Sequence, residues 1–428
     1  MNLSVIGTGY VGLTTGACLA KIGHNVICVD NDYDKIKILN NGELPIYEPG
    51  LKEIIAETTG AGRLFFTTDT KIAIEKSDVC FIAVGTPPLE TGEPDLTFVE
   101  TVVREIAKWM NNYRLIVEKS TVPVQTAKWI RKTIERYNNR TEFDVACNPE
   151  FLREGSAVQD FLNPDRIVIG VESQKARNLM LEIYAPIKAP IIVTDLTSAE
   201  LIKHASNAFL AMKISFINAI SFICEATGAD VCEVANGIGM DKRIGRTFLN
   251  AGIGYGGFCF PKDLRAFIRI AEEIGYDFRL LREVERINEE AKTRFIRKIR
   301  NALWNIRDKT IGILGLSFKP NTDDMRFAPS IDIINCLLAE GAIVRAYDPQ
   351  SMEKAKKILP DVELCPDPFA VANNADLLAI LTEWDEFREL DWQKIKTTMR
   401  LPIIADGRNM LNREQMEKLG FIYIGVGR

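Results

Sequence analysis

Short apolar runs alternate with helical patterns along residues 2–193. Residues 2–6 form an apolar run of strand length, followed by a helical pattern to about Ile22 that Gly23 ends. Asn25 to Val29 predicts a second strand, closing on Asp30. Further strands are predicted at Val79–Val84, Leu115–Glu118, Phe143–Cys147, Arg166–Val171 and Ile191–Val193. Thr197-x-x-Glu200 has the capping-box pattern and opens a long apolar helix that runs to about Gly228. Its flanking Leu201, Phe209, Leu210 and Ile214 predict that most of it is buried. Helical patterns then follow a glycine-rich loop and continue to about Trp304. A second α/β unit begins with strands at Thr310–Leu314 and Ile343–Tyr347, the latter ending at Asp348. The fold class expected is α/β: two Rossmann-like doubly wound domains joined by a long central helix. The borders expected are 1–196, 197–304 and 305–428.

Two glycine-rich stretches add candidate chemistry. Gly7-Thr8-Gly9-Tyr10-Val11-Gly12 has a strand before it, a helix after it and Asp30 at the end of the next strand. In that context the glycines allow a tight turn and close approach of backbone to a pyrophosphate at a helix N-terminus. Asp30 is placed to accept from a ribose 2′-hydroxyl and to repel a 2′-phosphate, so NAD is expected over NADP. Lys35, one turn on, is placed to cover the adenosine. The second stretch, Gly254 to Asp263, runs three glycines into Cys259, with Pro261 two residues later. Proline suits a first helical turn, so Cys259 is expected at a helix N-terminus, where thiolate is favoured over thiol. Asp263 follows one turn on. A free cysteine is more often a small buried hydrophobe, and position alone leaves both readings open.

In open α/β sheets ligands bind beyond the carboxyl ends of the strands. Gly85-Thr86-Pro87-Pro88, Lys119-Ser120-Thr121-Val122-Pro123 and Asn148-Pro149-Glu150 follow such ends, which makes Thr86, Thr121 and Glu150 site candidates. Glu154 lies four residues after Glu150 and shares its face if the segment is helical. Lys203 and Asn207 are likewise four apart on the long helix, where a buried lysine is costly and therefore informative.

Composition narrows the function classes. The 428 residues are 46% apolar and 26% charged, with a net charge of −5, which argues against nucleic acid or an anionic membrane as main partner. The nine cysteines include no Cys-x-x-Cys pair and fit a reducing cytoplasm rather than a disulfide framework or zinc ribbon. Only His24 and His204 occur, which speaks against a Ser-His-Asp site or a multi-histidine metal site, and no metal is expected. The N-terminal run has no basic start or cleavage site, so no signal peptide is expected. The apolar stretch Phe209–Cys224 is interrupted by Lys213 and Asn218 and reads as a core helix, not a membrane span.

As a set these motifs resemble the nucleotide-sugar 6-dehydrogenases of the UDP-glucose/GDP-mannose dehydrogenase family, over essentially the whole chain. The matching residues are the Gly7–Gly12 fingerprint, Ser120–Pro123, Asn148–Gly155, Lys203-x-x-x-Asn207, Gly256–Asp263 and Phe318-Lys319 through Arg326. Phe258 departs from the serine that many members carry before the cysteine. The resemblance implies a four-electron oxidation of UDP-glucose to UDP-glucuronate with two NAD⁺, through a Cys259 thiohemiacetal and thioester. A GDP-mannose or other nucleotide-sugar 6-dehydrogenase is the alternative, followed by a two-electron 3-hydroxyacid-type dehydrogenase, which needs no cysteine. By family analogy Lys203 and Asn207 stabilise the oxyanion, Asp263 and Thr121 position water or relay protons, and Glu150 is the base in thioester hydrolysis. Substrate contacts would map onto Glu150, Phe151, Leu152, Arg153, Glu154, Lys203, Asn207, Phe248, Leu249, Asn250, Ala251, Gly252, Gly256 and Lys319. Arg243 and Arg408 correspond to substrate-binding arginines, Arg243 reaching across a dimer interface. Cofactor contacts would map onto Gly7, Gly9, Val11, Gly12, Asp30, Lys35, Thr86, Thr121, Glu154, Lys262 and Arg326. A homodimer or higher homo-oligomer is expected.

Overall fold

The computed structural model describes residues 1–87, 89 and 94–428. Pro88, which closes one of the predicted strand-end motifs, lies outside them. The chain divides into two compact units, Met1–Ser206 with Arg265–Gly275, and Asn207–Leu264 with Tyr276–Arg428.

The first unit holds β1 (Asn2–Ile6), β2 (Asn25–Val29), β3 (Leu64–Thr67), β4 (Val79–Ile82), β5 (Arg114–Glu118), β6 (Phe143–Cys147), β7 (Ile167–Val171) and β8 (Ile191–Thr194). Their order in the sheet is β3-β2-β1-β4-β5-β6-β7-β8. All neighbouring pairs are parallel except β6 with β7. Helices on both faces explain why β4 and β5 are buried at every residue, β4 as an unbroken apolar run and β5 with Leu115–Val117 apolar between Arg114 and Glu118. The core divides accordingly. One layer, around Leu3, Val5, Leu13, Leu19 and Phe81, covers one face; the other, around Ile6, Ile82, Val103, Ile116 and Ile130, covers the opposite face.

The second unit holds β9 (Thr310–Leu314), β10 (Ile343–Tyr347), β11 (Glu363–Leu364), β12 (Leu377–Ile380), β13 (Ile403–Asp406) and β14 (Ile422–Ile424). The order β11-β10-β9-β12-β13-β14 is that of a dinucleotide-binding sheet, and every pair is parallel. The strand–helix–strand–acid pattern is repeated here, with a different outcome for the acid. Asp348 is fully buried. One of its oxygens accepts from the backbone N–H of Leu316 and of Ser317, from Ser317 Oγ and from Trp384 Nε1. The other accepts from the N–H of Gln350 and of Ser351. So many donors leave this carboxylate to fasten its own loops.

The long helix spans Leu196–Thr227. It is long and apolar enough to cross a membrane by length and composition, and 44% of its most apolar window is buried. Its buried stripe differs from the expectation. Leu201 and Phe209 are exposed and Leu210 and Ile214 only half-buried, whereas Lys203, Asn207, Ala211, Ser215 and Asn218 are buried. Those five recur at three- and four-residue spacing, so the face turned to protein carries small and polar groups. Ser215 Oγ donates to the carbonyl of Val284, and Asn218 Oδ1 accepts from the Gly252 N–H.

Two local expectations are corrected. The capping box at Thr197–Glu200 does not form. Asp195 caps the helix instead, accepting from Ser198 N and Oγ, and Glu200 accepts from the N–H groups of Gln125 and Ala127. It thereby closes the start of the helix Thr126–Tyr137, where orphan donors need an acceptor. Residues 148–155 are not helical, and the next helix begins at Ala157. Pro149 disfavours helix at Asn148, and Glu150 folds its carboxylate onto the Leu152 N–H. Glu150 and Glu154 therefore share no helical face.

Candidate active site

The fingerprint glycines follow β1 and open the helix Tyr10–Lys21, whose second residue is Val11. Gly7 has φ +104°, and a Cβ there would lie 2.5 Å from the carbonyl oxygen of Ala83. Around Gly9, the N-cap, a Cβ would meet nothing within 4 Å, and no side chain caps the helix. Open space before uncapped N–H groups fits a dinucleotide pyrophosphate. Asp30 Oδ2 accepts from Thr8 N and Thr8 Oγ1, both at 2.8 Å, and Oδ1 accepts from Asp32 N. Burial raises the Asp30 pKa, but these hydrogen bonds and Lys35 outweigh it and hold the carboxyl below its ordinary value. Lys35 Nζ lies 3.9 Å from that carboxylate. Asp30 thus stays an acceptor and also fastens the glycine turn, a second task that the sequence does not announce.

At the ends of β4 and β5, Thr86 Oγ1 donates to the carbonyl of Thr121. Beyond β6, Glu150 Oε1 accepts from Lys203 Nζ at 2.9 Å, with both side chains 5% exposed. This pair joins two sequence candidates in one buried ion pair. Phe151 lies under Arg166, whose guanidinium carbon is 3.8 Å from the ring centroid. Arg153 faces Asp160 and is largely exposed, while Leu152 and Glu154 are half-buried. The turn is held from the other side by Glu48, which accepts from the N–H of Gly155 and of Ala157. Neither Glu48 nor the buried Lys119, whose Nζ donates to Asn148 Oδ1 at 2.9 Å, stood out as a candidate. Glu48 sits in no motif, and Lys119 is hidden inside one.

In the second unit Cys259 is the first residue of the helix Cys259–Glu273 and is half-buried. The core cysteines Cys18, Cys28 and Cys80 are instead fully buried. Burial pushes the thiols of Cys18 and Cys28 up to about 12 and that of Cys80 to about 11, which leaves them inert. One turn beyond Cys259, Asp263 Oδ2 accepts from Asn207 Nδ2 at 2.6 Å, and Asp263 Oδ1 lies 2.7 Å from Lys262 Nζ. Asn207, Asp263 and Lys262 are all buried.

The loop ahead of Cys259 requires its glycines. A Cβ on Gly256 would lie 2.3 Å from the Phe327 carbonyl oxygen, and Gly257, at φ +79°, has the Phe318 ring at 2.7 Å. Asn288 grips Tyr255 through both its N–H and its carbonyl. Phe260 packs against Phe248 and Tyr255. Leu249, Ala251 and Gly252 are buried, and Asn250 is exposed. Arg326 stacks over Phe258 at 4.4 Å and pairs with Asp324. Lys319 Nζ lies 5.6 Å from the Phe318 ring centroid. Arg408 donates to the carbonyls of Gly254, Leu381 and Phe318, so it braces the loop. Arg243 is not drawn into this group; its side chain is 89% exposed and paired with Asp241.

Residues 1–188 match the NAD binding domain of the UDP-glucose/GDP-mannose dehydrogenase family, 197–290 its central domain and 312–413 its UDP binding domain. The chain is 49% identical to the UDP-glucose 6-dehydrogenase TuaD of Bacillus subtilis (strain 168), over all of this chain and 93% of that one. It is 46% identical to the UDP-glucose 6-dehydrogenase of Rhizobium meliloti (strain 1021), over the full length of both. Among solved structures, the UDP-glucose dehydrogenase of Pyrobaculum islandicum superposes with a TM-score of 0.94 at 39% identity, over 99% of this chain and 97% of that one. Full-length identity at this level, with matches to all three parts of the family, makes the chain a member of the UDP-glucose/GDP-mannose dehydrogenase family.

Proposed function

We propose that this chain oxidises UDP-glucose to UDP-glucuronate with two NAD⁺, through a covalent adduct on Cys259. The observation that carries the reading is Cys259 at a helix start, one turn before an Asp263 that is hydrogen-bonded to Asn207. The named relatives support UDP-glucose as the sugar nucleotide. Bound NAD⁺ supplies the hydride acceptor for both oxidations at C6.

The residues divide the remaining work. Once C6 is an aldehyde, the Cys259 thiolate adds to it and forms a C–S bond. Lys203 and Asn207 donate hydrogen bonds to the oxygen that gains charge. Loss of the second hydride converts the thiohemiacetal into a thioester. Glu150 takes a proton from water, with Thr121 and Asp263 orienting that water. The hydroxide adds to the acyl carbon, the C–S bond breaks, and the carboxylate and the Cys259 thiolate are released. One water is consumed and two NADH are formed. Gly7, Gly9, Val11, Gly12, Asp30, Lys35, Thr86, Glu154, Lys262 and Arg326 are assigned to NAD. The Phe151–Arg153 turn, Phe248–Gly252, Gly256, Lys319, Arg243 and Arg408 are assigned to the sugar nucleotide.

A homodimer is part of the same proposal. Phe209, Phe216 and Ile223 stand exposed at seven-residue spacing on one face of the long helix, an apolar stripe suited to a second copy. Sedimentation at micromolar concentration should give a dimer or larger, and a monomer would refute it. Nine free thiols support action in a reducing cytoplasm.

The test is the NADH yield per molecule of limiting UDP-glucose, with GDP-mannose in parallel. Two NADH from UDP-glucose are expected. One would remove the thioester route, and two from GDP-mannose with none from UDP-glucose would transfer the assignment to that substrate.

A further inference from the structure

Lys119 follows β5 and is 5% exposed. Among the described residues, the one hydrogen bond of its ammonium goes to Asn148 Oδ1, which also accepts from Tyr184 Oη, while Asn148 Nδ2 donates to the Val168 carbonyl. The ammonium lies 6.0 Å from the ring centroids of both Phe161 and Tyr184. Among the described residues no carboxylate lies within ion-pair distance of it. A buried cation without a counter-ion is costly, and a protein keeps one where charge is needed.

The groups that face it show what it does. Burial pulls the Lys119 pKa down to about 8; Glu150 is the largest opposing charge, then Cys147, with Lys203 repelling it and Glu118 attracting it more weakly. Burial and Glu200 push Glu118 well above the usual carboxylate range, and burial likewise raises the Cys147 thiol and the Tyr184 phenol. All three shifts favour the uncharged form. Glu150 pairs with Lys203, so Lys119 adds a positive charge that no carboxylate of the described residues pairs with directly.

We propose that Lys119 is a positioning residue for the reaction. It holds Asn148 at the head of the Asn148-Pro149-Glu150 turn, and its charge balances that of Glu150 while Lys203 turns to the oxyanion. Without that charge, drawing Lys203 away would leave Glu150 buried and uncompensated. The inference rests on the assignment of Glu150 and Lys203 above.

The experiment compares kcat against pH, with saturating UDP-glucose and NAD⁺, for the full-length enzyme, Lys119→Gln and Tyr184→Phe. The unmodified enzyme should lose kcat as pH rises through about 8. Lys119→Gln keeps a donor for Asn148 but no charge. It should lower kcat at pH 7 on the order of 10²-fold, abolish the alkaline limb and leave the KM for NAD⁺ within about twofold. Tyr184→Phe, which removes only a hydrogen bond to Asn148, should keep the limb. An equal loss in Tyr184→Phe, or an unchanged profile in Lys119→Gln, overturns the charge role. A kcat that stays level from pH 7 to 9 in the unmodified enzyme overturns it without any variant. Failure of the underlying assignment registers separately, as wild-type turnover in Glu150→Gln.

Discussion

Replacing Lys203 by methionine should destabilise the first unit and abolish turnover, and the two effects can be separated. Lys203 Nζ and Glu150 Oε1 are 2.9 Å apart with both side chains 5% exposed. At an effective dielectric of about 20 the attraction is roughly 6 kcal/mol before desolvation offsets most of it. Removing one partner leaves the other charge buried, which typically costs about 3–5 kcal/mol. In a unit of this size that lowers Tm on the order of 10 °C. Glu150 would retain only the Leu152 N–H among its named partners. Glu150→Gln should be destabilising as well, because it removes the carboxylate that pairs with the buried Lys203 ammonium. The double variant buries neither charge, so it should be more stable than the sum of the single losses implies, by about 2–3 kcal/mol. Urea unfolding of the four proteins gives that coupling, and NADH formation gives turnover. The double variant should recover stability without activity, since an oxyanion donor is worth roughly 10²–10³ in kcat. Single losses that add to within about 0.5 kcal/mol would mean that the ion pair does not carry the energy assigned to it.

Two further outcomes are expected. Asp30→Ala should weaken NAD binding and reduce discrimination against NADP; because Asp30 also ties Thr8, some loss of order in the glycine turn should accompany it. An unchanged NAD affinity by calorimetry would remove Asp30 from the ribose. Cys259→Ser should block the second oxidation, and uronate formation at the normal rate would exclude the covalent adduct.

Much of the architecture was legible because parallel strands buried on both faces are rich in apolar residues, as in the unbroken run of β4 and the apolar centres of β5 and β9. The glycine fingerprint and the start of the cysteine helix were legible too, since both depend on residues near in sequence. The long helix was read correctly as an element, but less of it is buried than expected. Its apolar residues at 209, 216 and 223 are exposed, and the buried side mixes Lys203, Asn207, Ser215 and Asn218 with Ala208, Ala211, Ile217 and Cys224. The Thr197–Glu200 box failed for a related reason: Glu200 had a better use 73 residues away, at the Ala127 N–H.

The chain's local pattern by itself determined where strands and helices run, and that the glycine turn and Cys259 each stand at a helix start. Tertiary structure decided which polar groups meet. Glu150 and Lys203 are 53 positions apart, Asn207 and Asp263 are 56 apart, and no periodicity links either pair. It also decided the fate of equivalent acids. Asp30 takes three donors, from Thr8 and Asp32, whereas Asp348, in the same pattern, is saturated by six donors from its own loops and from Trp384. Hydrophobic periodicity reports the faces of an element. The partner of a buried charge depends on what the remote chain brings to it, and that is settled only when the unit closes.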